Sequence, residues 1–180
     1  MKKNLFICLV FVSFFVCHLS AQEPQSLYEI GFGKISRTHK TYMEKWAYTV
    51  SATKAAGPHA GMGFTKSYLV MHRCFTVTYV ENSYREMISD LNLYAKTDLH
   101  PLSAYIGRPK EEFLADFPLG DNDKDTYNVT FFKSDKTGRI EVAVNYIDGI
   151  VDGVSIFNGK YMQLLAEYYE SIENSAGTDY

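Results

Sequence analysis

The chain has 180 residues, 46% of them apolar and 22% charged, with three cysteines and a formal charge of −3. This composition excludes an intrinsically disordered chain and a strongly basic nucleic-acid binder. No apolar run of bilayer length follows the first twenty residues, which argues against an integral membrane segment in the mature protein.

Residues 1–21 read as a signal peptide. Lys2 and Lys3 form a basic start, Leu5 to Val16 an apolar stretch, and Leu19-Ser20-Ala21 a small-residue cleavage site before Gln22. No cysteine is preceded by the small residue that lipid attachment needs, so the expected product is exported, periplasmic or secreted, and not a lipoprotein. The short basic start and Ala-Gln-Glu junction resemble exported proteins of Gram-negative bacteria, especially the Bacteroidota. Cleavage would leave 159 of the 180 residues, with Cys74 alone and hence no internal disulfide. Losing Lys2 and Lys3 would move the charge from −3 to −5, most of it in the second half.

Residues 22–43 show no clear period and are expected to form an N-terminal arm with a short strand near Tyr28–Phe32. Residues 44–53 alternate, with Trp46, Tyr48 and Val50 on one face, and predict a strand. Gly57, Pro58, Gly61 and Gly63 mark residues 54–64 as a loop. Residues 66–80 are β-branched and aromatic, long for one strand, so a bend or bulge is expected. Ser83 and Glu86 have capping-box spacing. Tyr84, Met87, Ile88, Leu91 and Tyr94 follow at helical intervals, predicting a helix over 83–95. A shorter helix opens at Pro109, shows Phe113, Leu114 and Phe117 on its apolar face, and stops at Pro118.

The next region has the strongest pattern. Tyr127, Val129 and Phe131 alternate, a turn falls at 135–138, and Ile140, Val142, Val144 and Tyr146 alternate. Asp148-Gly149 is a two-residue hairpin turn, and Ile150 to Phe157 is the third strand of a meander. Asn158 then caps a final helix carrying Tyr161, Leu164, Leu165, Tyr168 and Ile172 on one face. The expected fold is α+β. A single antiparallel sheet of about five strands has its helices packed on one face, in one domain over 44–175 with a disordered tail at 176–180.

The segment Tyr105-Ile106-Gly107-Arg108-Pro109-Lys110-Glu111-Glu112-Phe113-Leu114, with the later turn Ile147-Asp148-Gly149-Ile150-Val151, resembles the β-lactamase-inhibitor-like superfamily, which includes small outer-membrane-assembly lipoproteins. The resemblance covers residues 102–157 and implies a non-enzymatic protein-binding module. The absent lipid-attachment site, the single copy and the strand-rich N-terminal half depart from that family's pattern.

Several groups could carry chemistry. Asp121, Asp123 and Asp125 place carboxylates at alternate positions, as oxygen ligands for Ca²⁺ would stand. Thr126 and Phe132 occupy the positions where an EF-hand needs Gly and Glu, and a solvated turn is the ordinary alternative. His72 and Cys74 share a strand face, but a structural zinc site needs four ligands and His39, His59 and His100 are scattered. Arg73 on a regular strand would share its face with Leu69, Met71, Phe75, Val77 and Tyr79 and would need an acidic partner or a ligand anion. A bulge that turns it outward is the favoured alternative. The glycine-rich stretch 57–63 with His59 and Met62 lacks the lysine of a phosphate loop, and could serve as a contact loop.

After cleavage, 23 of 159 residues are aromatic, 14 of them Tyr. Tyr suits interfaces because it joins a large apolar body to a hydroxyl. The leading expectation is therefore an exported, non-enzymatic binding protein of the bacterial envelope. It would engage a protein or glycan through Trp46, Tyr48, His59, Met62 and Arg73, without nucleic acid and without a required cofactor. The alternatives are a small hydrolase or lyase using His59, His72 or Cys74 with a carboxylate, and a structural subunit of an envelope assembly.

Overall fold

The computed structural model describes residues 26–36, 49–133 and 140–176. The expected signal peptide, Trp46, Tyr48, the turn expected at 135–138 and the last four residues lie outside these. Among the described residues, no helix is long and apolar enough to cross a membrane.

The sheet has eight antiparallel strands rather than about five. They are β1 (Thr49–Lys54), β2 (Lys66–Met71), β3 (Phe75–Glu81), β4 (Glu86–Leu93), β5 (Lys124–Asp125), β6 (Val129–Phe132), β7 (Ile140–Ile147) and β8 (Ile150–Asn158). Their order across the sheet is β1-β2-β3-β4-β8-β7-β6-β5. Short helices α1 (Leu27–Ile30), α2 (Pro58–Gly61) and α3 (Lys110–Asp116) and the long α4 (Gly159–Ala176) complete the fold, with 3₁₀ turns at Gly33–Ile35 and Pro101–Tyr105.

The three strands of the C-terminal meander form, but β6 turns Thr130 and Phe132 inward instead of Tyr127, Val129 and Phe131. Asp148 and Gly149 take φ of 50° and 76°, the left-handed pair of a tight hairpin turn, and Ile147 faces Ile150. Asn158 Oδ1 accepts the backbone N–H of Lys160 and of Tyr161, capping α4. Pro109 precedes α3, and the helix ends at Asp116 ahead of Pro118.

Four expectations are corrected. The helix predicted over 83–95 is strand β4. Ser89 is an extra residue in the β3–β4 ladder, where Thr78 faces Asp90 but Tyr79 faces Ile88. This bulge moves the inward residues from Ile88 to Leu91, a spacing of three that imitates a helix, while Tyr84 on the supposed apolar face is 95% exposed. Residues 66–80 form two strands around a turn at His72, Arg73 and Cys74. No glycine or proline announces this turn. Side chains hold it: Cys74 N–H donates to His72 Nδ1, and the Tyr94 hydroxyl donates to the His72 carbonyl. The short strand expected near Tyr28–Phe32 is α1 and its following turn, and the loop over 54–64 contains α2.

Helices cover both faces of the sheet rather than one. Val77, Leu91, Val142 and Ile156 point to the face where Leu27, Ile35, Leu102 and Phe113 complete the main core. Val80 follows Tyr79 and so faces the other way. There it joins Ala55, Phe64 and Tyr161, under α2 and the first half of α4. The rest of that second face is mixed. Asp90 accepts from Ser89 Oγ, Thr78 Oγ1 and Asn92 Nδ2, while Leu69 and Met71 on β2 are exposed.

Candidate functional site

Of the residues singled out in the sequence, the described ones do not gather into one site. His59 lies in α2 with its ring 5.8 Å from that of Tyr161, and Met62 packs on the second core cluster. The 57–63 stretch is thus a helical turn held beneath α4. A Cβ at Gly61 would collide with the ring of Tyr168. Arg73 is exposed in the turn at the opposite end of β2, a six-residue strand about 20 Å long.

Asp121, Asp123 and Asp125 are not a shared ligand set. Asp123 accepts the backbone N–H of Gly120 and of Lys133, both at 2.8 Å, and so staples its own loop. Asp125 pairs with Lys110 at 2.6 Å and accepts from Thr130 Oγ1, which in turn accepts from the buried Tyr146 hydroxyl. Among the described residues, no three His, Cys, Asp or Glu side chains converge as a metal site would require. His72 spends its Nδ1 on the Cys74 backbone. Burial, with the neighbouring Arg73 charge, holds its pKa below the usual histidine value.

What the fold does assemble lies on the main-core side, where α1, the 101–105 turn and α3 meet. Two adjoining clefts share Asp116 and Phe117. One, of about 280 Å³, is walled by Leu27, Tyr28, Pro118 and Phe132. The other, of about 410 Å³, is walled by Ile30, Pro101, Leu102, Tyr105 and Arg108. Both approach or reach the size range of small-ligand pockets.

An aromatic stack forms the backing. The Phe113 ring centroid lies 5.0 Å from those of Tyr105 and Phe117 and 5.8 Å from that of Phe132. The Tyr105 hydroxyl donates to Asp116 Oδ2 at 2.5 Å. Burial, then that bond and the Asp116 charge, push the Tyr105 pKa up to about 12, so the phenol stays protonated at neutral pH. The Arg108 guanidinium stands 5.6 Å from the centre of the Tyr105 ring, and its Nη1 is 3.7 Å from Glu112 Oε2.

The hairpin turn after β7 carries this rim. Gly107 at φ +83° lets the chain bend onto β8. Gly107 N–H then donates to the Val151 carbonyl, Val151 N–H to the Arg108 carbonyl, and Lys110 N–H to the Gly149 carbonyl. Arg108 is therefore presented from a backbone bonded to the sheet.

His100 fixes the opposite wall. It is 1% exposed. Leu102 N–H donates to its Nδ1 at 3.3 Å, which assigns the ring proton to Nε2, and Nε2 donates to the Gly31 carbonyl at 3.1 Å. Burial lowers the His100 pKa below the ordinary value, against the opposing effect of the Gly31 bond. Lys34 N–H donates to the Leu99 carbonyl and the Tyr28 hydroxyl to the Lys133 carbonyl, so the segment 26–36 is tied down at three places.

No protein-family model matches the chain, and neither a curated protein nor a solved structure matches it. In the sequence, Arg108 and Phe117 stand only as parts of a helix start and an apolar helix face, and His100 as one of several scattered histidines. The Tyr105–Phe117 spacing is the one signal that could have found the cleft: three aromatics and an arginine within thirteen residues, around a Gly-x-Pro bend.

Proposed function

We propose that this chain is an exported, non-enzymatic binding protein of the bacterial envelope, and that its partner, a protein, seats in the paired clefts around Phe117. The leader-like first 21 residues support export. The observation that carries the binding site is the cleft itself. It is an open apolar surface backed by four packed aromatic rings, with one guanidinium and one carboxylate at its rim. Such a combination supplies a large desolvated contact with a few polar groups to orient it.

This replaces the 57–63 stretch as the contact surface, because His59 and Met62 are committed to packing under α4. The test is affinity capture from envelope and culture-supernatant fractions with the native chain and with Ala104→Trp. Ala104 is exposed and lines the larger cleft, so the indole would fill it without burdening the core. One saturable partner lost with Ala104→Trp and retained with Met62→Ala supports the proposal. A partner indifferent to Ala104→Trp refutes it.

A further inference from the structure

We infer that the larger cleft receives the C-terminal residue of a polypeptide, an apolar side chain with its free carboxylate, and that Arg108 is the anchor for that carboxylate. This rests on the cleft being the binding site. It goes further by naming the ligand's chemistry.

The cleft offers two charged groups of unequal availability. Asp116 already accepts the Tyr105 hydroxyl at 2.5 Å. Among the described residues, Arg108 has only a loose partner. Its contact with Glu112 is 3.7 Å long, and both side chains are about half exposed, at 49% and 54%. An i,i+4 pair of that kind contributes little. Arg108 is nevertheless held in place. Its backbone is bonded to β8, and its guanidinium stands beside the Tyr105 ring. A planar fork supported in this way is set up for two parallel bonds to a carboxylate, at little further cost in side-chain order.

The remaining walls are apolar: Ile30, Pro101, Leu102 and Phe117. A space of about 410 Å³ holds one large side chain and part of the residue before it. The cleft is open to solvent, so the rest of a polypeptide can continue outward. Capture of a chain end by its carboxylate is a recurrent recognition mode. The protein's formal charge of −3 would repel an acidic partner at long range, which makes a single carboxylate beside one arginine a better match than an acidic segment.

The experiment is calorimetric or NMR titration of the native chain with a hexapeptide ending in Ala-Leu-Phe with a free carboxylate. The same peptide as its C-terminal amide and N-acetyl-phenylalanine are titrated in parallel. The free-acid peptide is expected to bind saturably, with affinity at least tenfold above that of its amide. Arg108→Gln should remove that preference, and Arg108→Lys should restore only part of it. Acid and amide binding equally, both abolished by Ala104→Trp, would overturn the anchor role of Arg108 and leave the cleft as a binding site. No binding of either peptide at millimolar concentration would overturn the chain-end ligand, and the cleft reading would then stand or fall by the capture test with Ala104→Trp. Acetyl-phenylalanine binding as tightly as the hexapeptide would overturn a polypeptide source.

Discussion

Replacing His100 by Phe should destabilise the protein at neutral pH and at the same time remove a specific acid sensitivity. The imidazole is 1% exposed, with one nitrogen accepting from Leu102 N–H and the other donating to the Gly31 carbonyl. Phe keeps the ring but leaves a buried donor and a buried acceptor without these partners. At about 1–3 kcal/mol for each unsatisfied group, the loss at pH 7.5 is about 2–6 kcal/mol. The pH dependence follows from the direction of the pKa shift. Burial lowers the His100 pKa in the folded protein, so below the unfolded value of 6.5 the unfolded chain binds the proton more readily. The native protein therefore loses about 1.4 kcal/mol per pH unit from pH 6.5 down to the folded pKa, and no more below it. His100→Phe has no such group, so the stability gap between the two proteins should narrow as pH falls from 7 to 5.5. The assay is urea unfolding at half-unit pH steps. His72 titrates in the same direction, but it is common to both proteins and cancels in the difference. If His100→Phe does not fold, His100→Asn serves, because its Oδ1 can accept from Leu102 N–H. Parallel stability curves across that pH range would refute the assigned ionisation state, and with it the role of His100 as the clamp on α1.

Three further outcomes are expected. Gly33→Ala should cost about 1–2 kcal/mol from the left-handed backbone alone, since Gly33 sits at φ +57°. Its new Cβ would also lie 2.9 Å from the Leu99 carbonyl, so a midpoint unchanged in urea would contradict the close approach. Thr130→Val should cost about 1–3 kcal/mol by depriving the buried Tyr146 hydroxyl of its acceptor, measured by thermal or urea unfolding. Lys110→Met should make the protein less stable at neutral and mildly acidic pH but flatten its response below pH 3.8. Burial raises the Asp125 pKa, but the bonds from Lys110 and Thr130 outweigh that and hold it low, so this stabilisation is present above the unfolded value and lost as pH falls through the folded one. Acid titrations of the native and Lys110→Met proteins that coincide throughout would exclude that linkage.

The parts of the fold legible in the sequence are those whose signals are local. The β7–β8 hairpin follows from strict alternation and from Asp148-Gly149, and α4 from the Asn158 cap, whereas β6 buries Thr130 and Phe132 and not the alternating Tyr127, Val129 and Phe131. The failures arise where a distant or subtle contact decides. One inserted residue, Ser89, turned a strand into an apparent helix, because a bulge changes the spacing of inward residues from two to three. The turn at His72–Cys74 is closed by an imidazole and by a hydroxyl from β4, neither of which is a turn signal in the sequence. The sheet exceeds five strands because residues 66–80 divide into β2 and β3, β4 carries the spacing of a helix, and β5 is only two residues long; the pairing of β4 with β8 joins residues 67 apart, Asp90 and Phe157, and nothing local encodes it. The candidate site was missed for the same reason. His100 meets Gly31 across 69 residues, and Arg108 gains its position from a turn some forty residues later.

The strand order has one more consequence. Among the described residues, six of the seven ladders join strands that are neighbours in sequence, and only β4–β8, a seam of four residue pairs from Asp90–Phe157 to Leu93–Val154, joins the first four strands to the last four. The chain between them, residues 94–123, carries the turn at 101–105 and α3 across the core face before re-entering the sheet at its far edge. Each half thus has short loop closures, and the long closure is made once. A backbone cut in the exposed Leu119–Asn122 stretch would leave two fragments that each keep every ladder but the seam. The molecule is divided there into two pieces suited to fragment complementation, and reassembly would rebuild the clefts, because α1 and α3 come with the first fragment while Phe132 and the Gly149–Val151 support for the Arg108 loop come with the second.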